Sequence, residues 1–133
     1  MRQTPFRAGN EISQPFNSGV VSIYRLTDVG EPGYAPVPRL DLRVRLHYEE
    51  RKLGLIRYFS ASQNQVKVEK VLRVPRRAEI SPQDVAVTQD GRQYRIELIQ
   101  MAEGVYPPSL DLTLGTIEQV YELPEEGSHG PVV

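Results

Sequence analysis

The sequence predicts an all-β fold: a small antiparallel β-barrel, or a sandwich, of about six to seven strands with long loops and flexible termini. Three observations predict it. Leu40, Leu42, Val44, Leu46 and Tyr48 alternate with Asp41, Arg43, Arg45 and His47, which is the period of a strand with one wet face. Eleven Pro and ten Gly are scattered through the 133 residues, too often for long helices. The other apolar runs are short, rich in β-branched residues and bounded by turn signals, and none carries the period of an amphipathic helix. The length is that of one domain.

Residues 1–18 are polar, with Pro5, Gly9 and Pro15 and no periodicity. They are expected to form a flexible N-terminal arm, disordered or ordered only by a partner. Residues 19–123 form the barrel domain, opening with a strand at 20–27 (VVSIYRLT). Residues 28–38 carry three Pro and two Gly and form a long loop, a length at which loops are often functional. The alternating strand 40–48 is followed by a polar turn at Glu49 to Lys52 and a returning strand at 53–59, so that 40–59 reads as a hairpin. In residues 66–74, Val66, Val68, Leu72 and Val74 share one parity, interrupted by Lys70, and Pro75 stops the strand. Ser81-Pro82 marks a turn. Residues 85–88 and 94–100 flank Asp90-Gly91, which predicts a hairpin with a type I′ turn. Residues 101–109 read as a loop and 110–114 (LDLTL) as a strand with Asp111 facing outward. Residues 116–123 read as a last strand or a short helix, and 124–133 as a flexible tail.

Composition removes most chemistries. There is no Cys, which excludes disulfides, thiolate metal sites and cysteine catalysis. The two His, at 47 and 129, are too few for a His-rich metal site, and His47 sits on the polar parity of its strand as a surface residue. No apolar run approaches the roughly 18 residues of a membrane helix, and the N-terminus lacks the apolar stretch of a secretory signal. Phosphate-loop, dinucleotide, zinc-protease and serine-elbow motifs are absent. Asp84, Asp90 and Asp111 could serve as acid and base only if the fold brought two together, and their contexts read as turns and a solvent-facing strand position. The chain is therefore read as a non-enzyme without metal or cofactor. Among the seven Tyr, those at 24, 48, 58, 94 and 121 fall in predicted strands and are expected in the core or at its rim, whereas Tyr34 and Tyr106 fall in Pro-rich loops. Arg57-Tyr58-Phe59 is the one aromatic–basic cluster of the kind that stacks nucleic-acid bases.

The net charge of −1 hides a segregation along the chain. Between residues 51 and 77 lie eight basic side chains (Arg51, Lys52, Arg57, Lys67, Lys70, Arg73, Arg76, Arg77) against Glu69 alone, whereas residues 104–133 hold five acidic side chains and no Lys or Arg. Charges that mix in space would make this a solvated surface. Charges that stay apart would serve head-to-tail contact between subunits or a polyanion. The candidate subunit or partner contacts are Arg51, Lys52, Arg76 and Arg77, with Glu79, Asp84, Glu118 and Glu122 as their acidic counterparts. Arg57, Lys67, Lys70 and Arg73 are the alternative candidates for contact with DNA in a channel.

Residues 19–28 (GVVSIYRLTD), 46–59 (LHYEERKLGLIRYF), 66–75 (VKVEKVLRVP), 93–100 (QYRIELIQ) and 107–114 (PPSLDLTL) together resemble the head-closure or head–tail joining proteins of tailed bacteriophages, also called stoppers or head-completion proteins. Arg73-Val74-Pro75 supplies the family's Arg-x-Pro after a hydrophobic strand. The resemblance covers roughly residues 19–123 and rests on packing and turn patterns, so it carries over a fold and a role and no active site. It implies a β-barrel in a homo-oligomeric ring of about twelve, or about six, copies. Such a ring sits at the head–tail junction of the virion, beneath the portal and adaptor. It retains packaged double-stranded DNA and docks the tail terminator or tail tube; the protein would be made in the bacterial host cytoplasm. A tail terminator or other tail ring protein, and a small nucleic-acid-binding β-barrel, are the alternatives.

Overall fold

The computed structural model describes residues 12–52, 68–124 and Val132. Its strands are β1 (Ile12–Ser13), β2 (Gly19–Asp28), β3 (Pro38–Arg51), β4 (Val68–Pro75), β5 (Val85–Val87), β6 (Gln93–Met101), β7 (Val105–Tyr106) and β8 (Ser109–Thr116), with no helix among the described residues. Six of them close an antiparallel barrel in the order β2-β3-β4-β8-β6-β5, and β1 and β7 form a separate parallel pair. The fold is thus all-β, and a barrel rather than a sandwich. One end gathers the start of β2, the end of β3, the start of β4 and the β5–β6 turn. The other gathers the 28–38 loop, residues 76–84 and residues 102–108.

The alternation at 40–48 conceals a change of face. Ile23 pairs with Val44, but the next residue, Tyr24, pairs with Leu42, leaving Arg43 as the extra residue of a bulge. A bulge reverses the facing of everything beyond it. Val44, Leu46 and Tyr48 therefore join the barrel interior, with Val21, Ile23, Leu72, Val74, Ala86, Tyr94, Ile96, Leu110, Leu112 and Leu114. Leu40 and Leu42, of the same sequence parity, join a second apolar cluster with Tyr24, Val85 and Val87 on the outside of β2, β3 and β5, covered by Ile117 and Tyr121. The break at Lys70 has a similar origin. A register shift between Val68 and Lys70 places Lys70 opposite Leu114, and its ammonium lies 5.4 Å from the centre of the buried Tyr94 ring.

Several expected elements differ. Glu49–Lys52 is not a turn: β3 continues through Arg51, and Glu49, Glu50 and Arg51 pair with Arg73, Leu72 and Val71 of β4. The proposed returning strand at 53–59 lies outside the described residues. Residues 117–124 form neither strand nor helix; Ile117 and Tyr121 cover the outer cluster instead. The Asp90-Gly91 hairpin is present, but its turn is not type I′. Gly91 alone has positive φ (86°), its N–H donates to the Thr88 carbonyl, and the Thr88 N–H donates to that of Arg92. This is a three-residue loop with glycine in the left-handed position.

Residues 12–18, read as part of the arm, lie against the barrel. Ile12 and Gln14 donate backbone hydrogen bonds to the carbonyls of Gly104 and Tyr106, and Ser18 to that of Tyr48. Asn17 N–H donates to Glu49, and Glu50 N–H donates to the Ser18 hydroxyl. The segment thus crosses the outside of β4 and β8 from one barrel end to the other. This explains why Val71, Arg73, Asp111 and Thr113, all facing away from the interior, are buried nonetheless.

Candidate assembly surface

Much of the segregated charge cancels within the chain. Arg73 on β4 is opposite Asp111 on β8. Its guanidinium makes a two-pronged contact at 2.7 and 2.9 Å with that carboxylate and donates at 3.0 Å to Gln14, all buried. Asp111 raises the Arg73 pKa against the penalty of burial. Two expectations are corrected here. Asp111 does face outward, but residues 12–18 remove it from solvent, and Arg73 is committed to a buried ion pair and cannot reach phosphate without breaking it. Asp84, offered as a partner contact, is also buried. It accepts from Arg25 at 2.6 Å and from the Ser81 N–H, while Arg25 donates to the Glu79 carbonyl and the Ser81 hydroxyl. This network pins residues 79–84 beneath the barrel, with Ile80 plugging the interior.

Arg77 and Glu79, drawn from opposite sides of the proposed contact, pair with each other through two bonds at 3.1 and 2.8 Å. The Arg77 guanidinium, reinforced by a backbone hydrogen bond, holds the Glu79 carboxyl at a pKa of about 2. Lys70 reaches Glu50 at 3.5 Å. Burial opposes its charge, but Tyr94 and Glu50 outweigh that and its pKa is raised. Tyr94 carries Lys70 and also Arg92, 5.8 Å from its centre. Because the ring is buried, these are intramolecular cation–π contacts and no base can stack there. Arg57, Lys67 and the Arg57-Tyr58-Phe59 cluster lie outside the described residues.

Five candidates remain exposed and make no ion pair among the described residues: Arg51, Lys52, Arg76, Glu118 and Glu122. Their placement is not random. Arg51 and Lys52 end the strand that pairs with β4, and Arg76 follows β4, its N–H bonded to the Pro108 carbonyl. Glu118 and Glu122 flank Ile117 and Tyr121, the covers of the outer cluster on β2, β3 and β5. The Tyr121 backbone is tied to the Gln93 amide by two hydrogen bonds, at 2.7 and 2.9 Å. The exposed bases thus lie at the two ends of the barrel, Arg51 and Lys52 at one and Arg76 at the other, and the exposed acids lie on the segment that covers β2, β3 and β5, with Glu122 beside the start of β3.

The sequence reading missed Arg25, Gln14 and Glu50 as partners of charged groups. Arg73 and Asp111 each interrupt an apolar run, a signal for a buried ion pair, but the register that joins them is not legible in one strand alone. Among the described residues no group of three His, Asp or Glu side chains could hold a metal ion. Neither the comparison with protein-family models nor that with curated protein sequences finds a match to the chain.

Proposed function

We propose that this protein is a non-enzymatic assembly protein of a tailed-phage neck, a head-closure ring subunit between portal or adaptor and tail. The observation that carries the reading is a closed β-barrel that presents exposed bases, Arg51, Lys52 and Arg76, and exposed acids, Glu118 and Glu122, with no ion pair among the described residues and on different segments of its surface. A ring of identical subunits needs two different, complementary faces on each copy. Opposed charge supplies orientation and register even where its net affinity is modest. The sequence resemblance over residues 19–123 supplies the choice of ring. The partners that follow are further copies of the chain, portal or adaptor proteins above, tail terminator or tube proteins below, and double-stranded DNA in the channel.

The test is charge reversal in the phage that encodes the protein. Arg76→Glu is chosen over a change at Arg77, which would set two carboxylates together at Glu79. The protein is expected at the head–tail junction of labelled particles. Arg76→Glu should abolish its incorporation, and Glu118→Arg with Glu122→Arg should restore it. Normal incorporation of Arg76→Glu with altered DNA retention would assign Arg76 to the channel. Absence of the wild-type protein from the junction would overturn the neck reading.

A further inference from the structure

Asp90-Gly91, the pair that marks the β5–β6 turn in the sequence, is also a chemically reactive pair. The Gly91 nitrogen can attack the Asp90 side-chain carboxyl carbon. The N–Cγ bond of a five-membered succinimide forms, the C–OH bond of the neutral acid breaks, and the hydroxyl leaves with the amide proton as water. A second water then opens the ring. Opening at Cγ restores aspartate, whereas opening at the main-chain carbonyl leaves isoaspartate, with the chain running through Cβ. Glycine favours the reaction because no side chain crowds its nitrogen and its backbone turns freely. Both residues are exposed, and a Cβ added to Gly91 would meet nothing within 4 Å. Steric cover therefore does not protect the pair.

We propose that Asp90-Gly91 is a fold-gated modification site, which forms isoaspartate when the β5–β6 turn opens and is locked by Thr88 and Arg92 while the turn is closed. The lock holds both reacting groups. The Asp90 carboxylate accepts from the Thr88 hydroxyl and from the Arg92 N–H, so its carbon swings over the Gly91 nitrogen only by breaking both bonds. The Gly91 N–H is itself spent on the Thr88 carbonyl at 2.9 Å. Thr88 is buried, and its own N–H donates to the Arg92 carbonyl at 3.1 Å, which anchors the lock in the barrel and not in the exposed loop. The Thr88 hydroxyl, then the Arg92 N–H, also hold the Asp90 carboxyl below its ordinary value, with Lys70 and the Arg92 charge adding less; the neutral acid that ring closure consumes is thereby scarce. The modification would bear on barrel closure. Isoaspartate lengthens the main chain of a three-residue loop beside the Val87–Gln93 pair, and β5, only three residues long, is what joins β2 to β6. The inference does not depend on the assembly reading.

The experiment ages the full chain, folded in buffer and unfolded in guanidinium chloride, at one pH and temperature. Trypsin then releases residues 78–92, bounded by Arg77 and Arg92, and the isoaspartate form of that peptide is separated by chromatography and located by fragmentation. Asp84, before the β-branched Val85, lies in the same peptide and serves as the slow reference. Isoaspartate is expected at position 90 in the unfolded chain. In the folded chain it should form at least about tenfold more slowly, since two hydrogen bonds of ordinary net strength must break before the ring can close. Thr88→Val, shown to be folded by its melting transition, should form it faster than the folded wild type. Equal rates in the folded and unfolded wild-type chain, or no isoaspartate at position 90 in either, would overturn the proposal without reference to any variant. A folded Thr88→Val chain that ages no faster than wild type would overturn the lock.

Discussion

Among the described residues the buried Thr113 hydroxyl oxygen has no hydrogen-bond partner, on a strand where both flanking leucines fill the interior. A buried hydroxyl with no partner costs roughly 1–3 kcal/mol of desolvation. Thr113→Val should therefore leave the melting temperature unchanged or raise it, and a fall in thermal unfolding by more than a few degrees would show that the hydroxyl is satisfied. The adjacent ion pair predicts the reverse. Arg73 and Asp111 are both about nine-tenths buried, and removing one partner strands the other's charge. Asp111→Ala should cost about 3–5 kcal/mol in denaturant unfolding, whereas Arg73→Met with Asp111→Leu should recover most of that. A double variant no more stable than the single would mean that Gln14 and the crossing segment, rather than charge, hold the site together.

Among the elements, residues 117–124 have no regular structure, yet they cover Tyr24, Leu40, Val85 and Val87 with Ile117 and Tyr121. Ending the chain after Thr116 removes two partly buried apolar side chains, worth about 3 kcal/mol together, and uncovers a contiguous apolar patch. That truncation should lower stability by about this amount and bind a hydrophobic dye, whereas Gln93→Ala, which loses only the two bonds to the Tyr121 backbone, should bind little. Unchanged stability on truncation would remove these residues from the fold. The same segment shows where the sequence stops being legible. The strand at 20–27 and those at 85–88, 94–100 and 110–114 could be read because each has β-branched or alternating residues between turn signals. TIEQVYEL has the same look, but two of its apolar residues, Ile117 and Tyr121, pack by lying over a sheet rather than by joining one, and Val120 and Leu123 stay exposed. The bulge at Arg43 was hidden because a change of face leaves the alternation of residue types intact. Pairs such as β1 and β7, two residues each, have no periodicity to read. The candidate contacts were legible as charges and not as partners: Arg73, Arg77, Glu79 and Asp84 are claimed by register and turn geometry that no local pattern encodes.

At the scale of the whole molecule, acid should loosen the ends of the barrel, and salt should separate the causes. Among the described residues, four carboxyl groups are held below their ordinary values. Asp28 is held by the backbone N–H groups of Gly30 and Val37, which it accepts across the 28–38 loop. Asp41 is held chiefly by Arg39, Glu79 by Arg77, and Asp90 by the Thr88 hydroxyl and then the Arg92 N–H. A carboxyl whose folded pKa lies below its unfolded one stabilises the fold fully above the unfolded value, and loses that contribution as pH falls through the folded value. For Glu79 the window runs from the ordinary 4.5 down to about 2. Stability should thus be flat at neutral pH and decline below the ordinary carboxylate range. All four groups lie at the surface, so their individual contributions are small. The causes differ in kind, however. Pairing with Arg39 or Arg77 is partly Coulombic and is screened by salt, whereas bonds from backbone N–H groups and a neutral hydroxyl are short-ranged. In carboxyl-carbon NMR titrations at molar salt, Asp41 and Glu79 should move up toward their ordinary values while Asp28, which no charge lowers, holds, and Asp90, on which the charges of Lys70 and Arg92 are the smallest causes, moves little. Equal movement of all four would mean that the net field of the molecule sets these values. An unmoved Glu79 would mean that its two bonds to Arg77 owe nothing to charge.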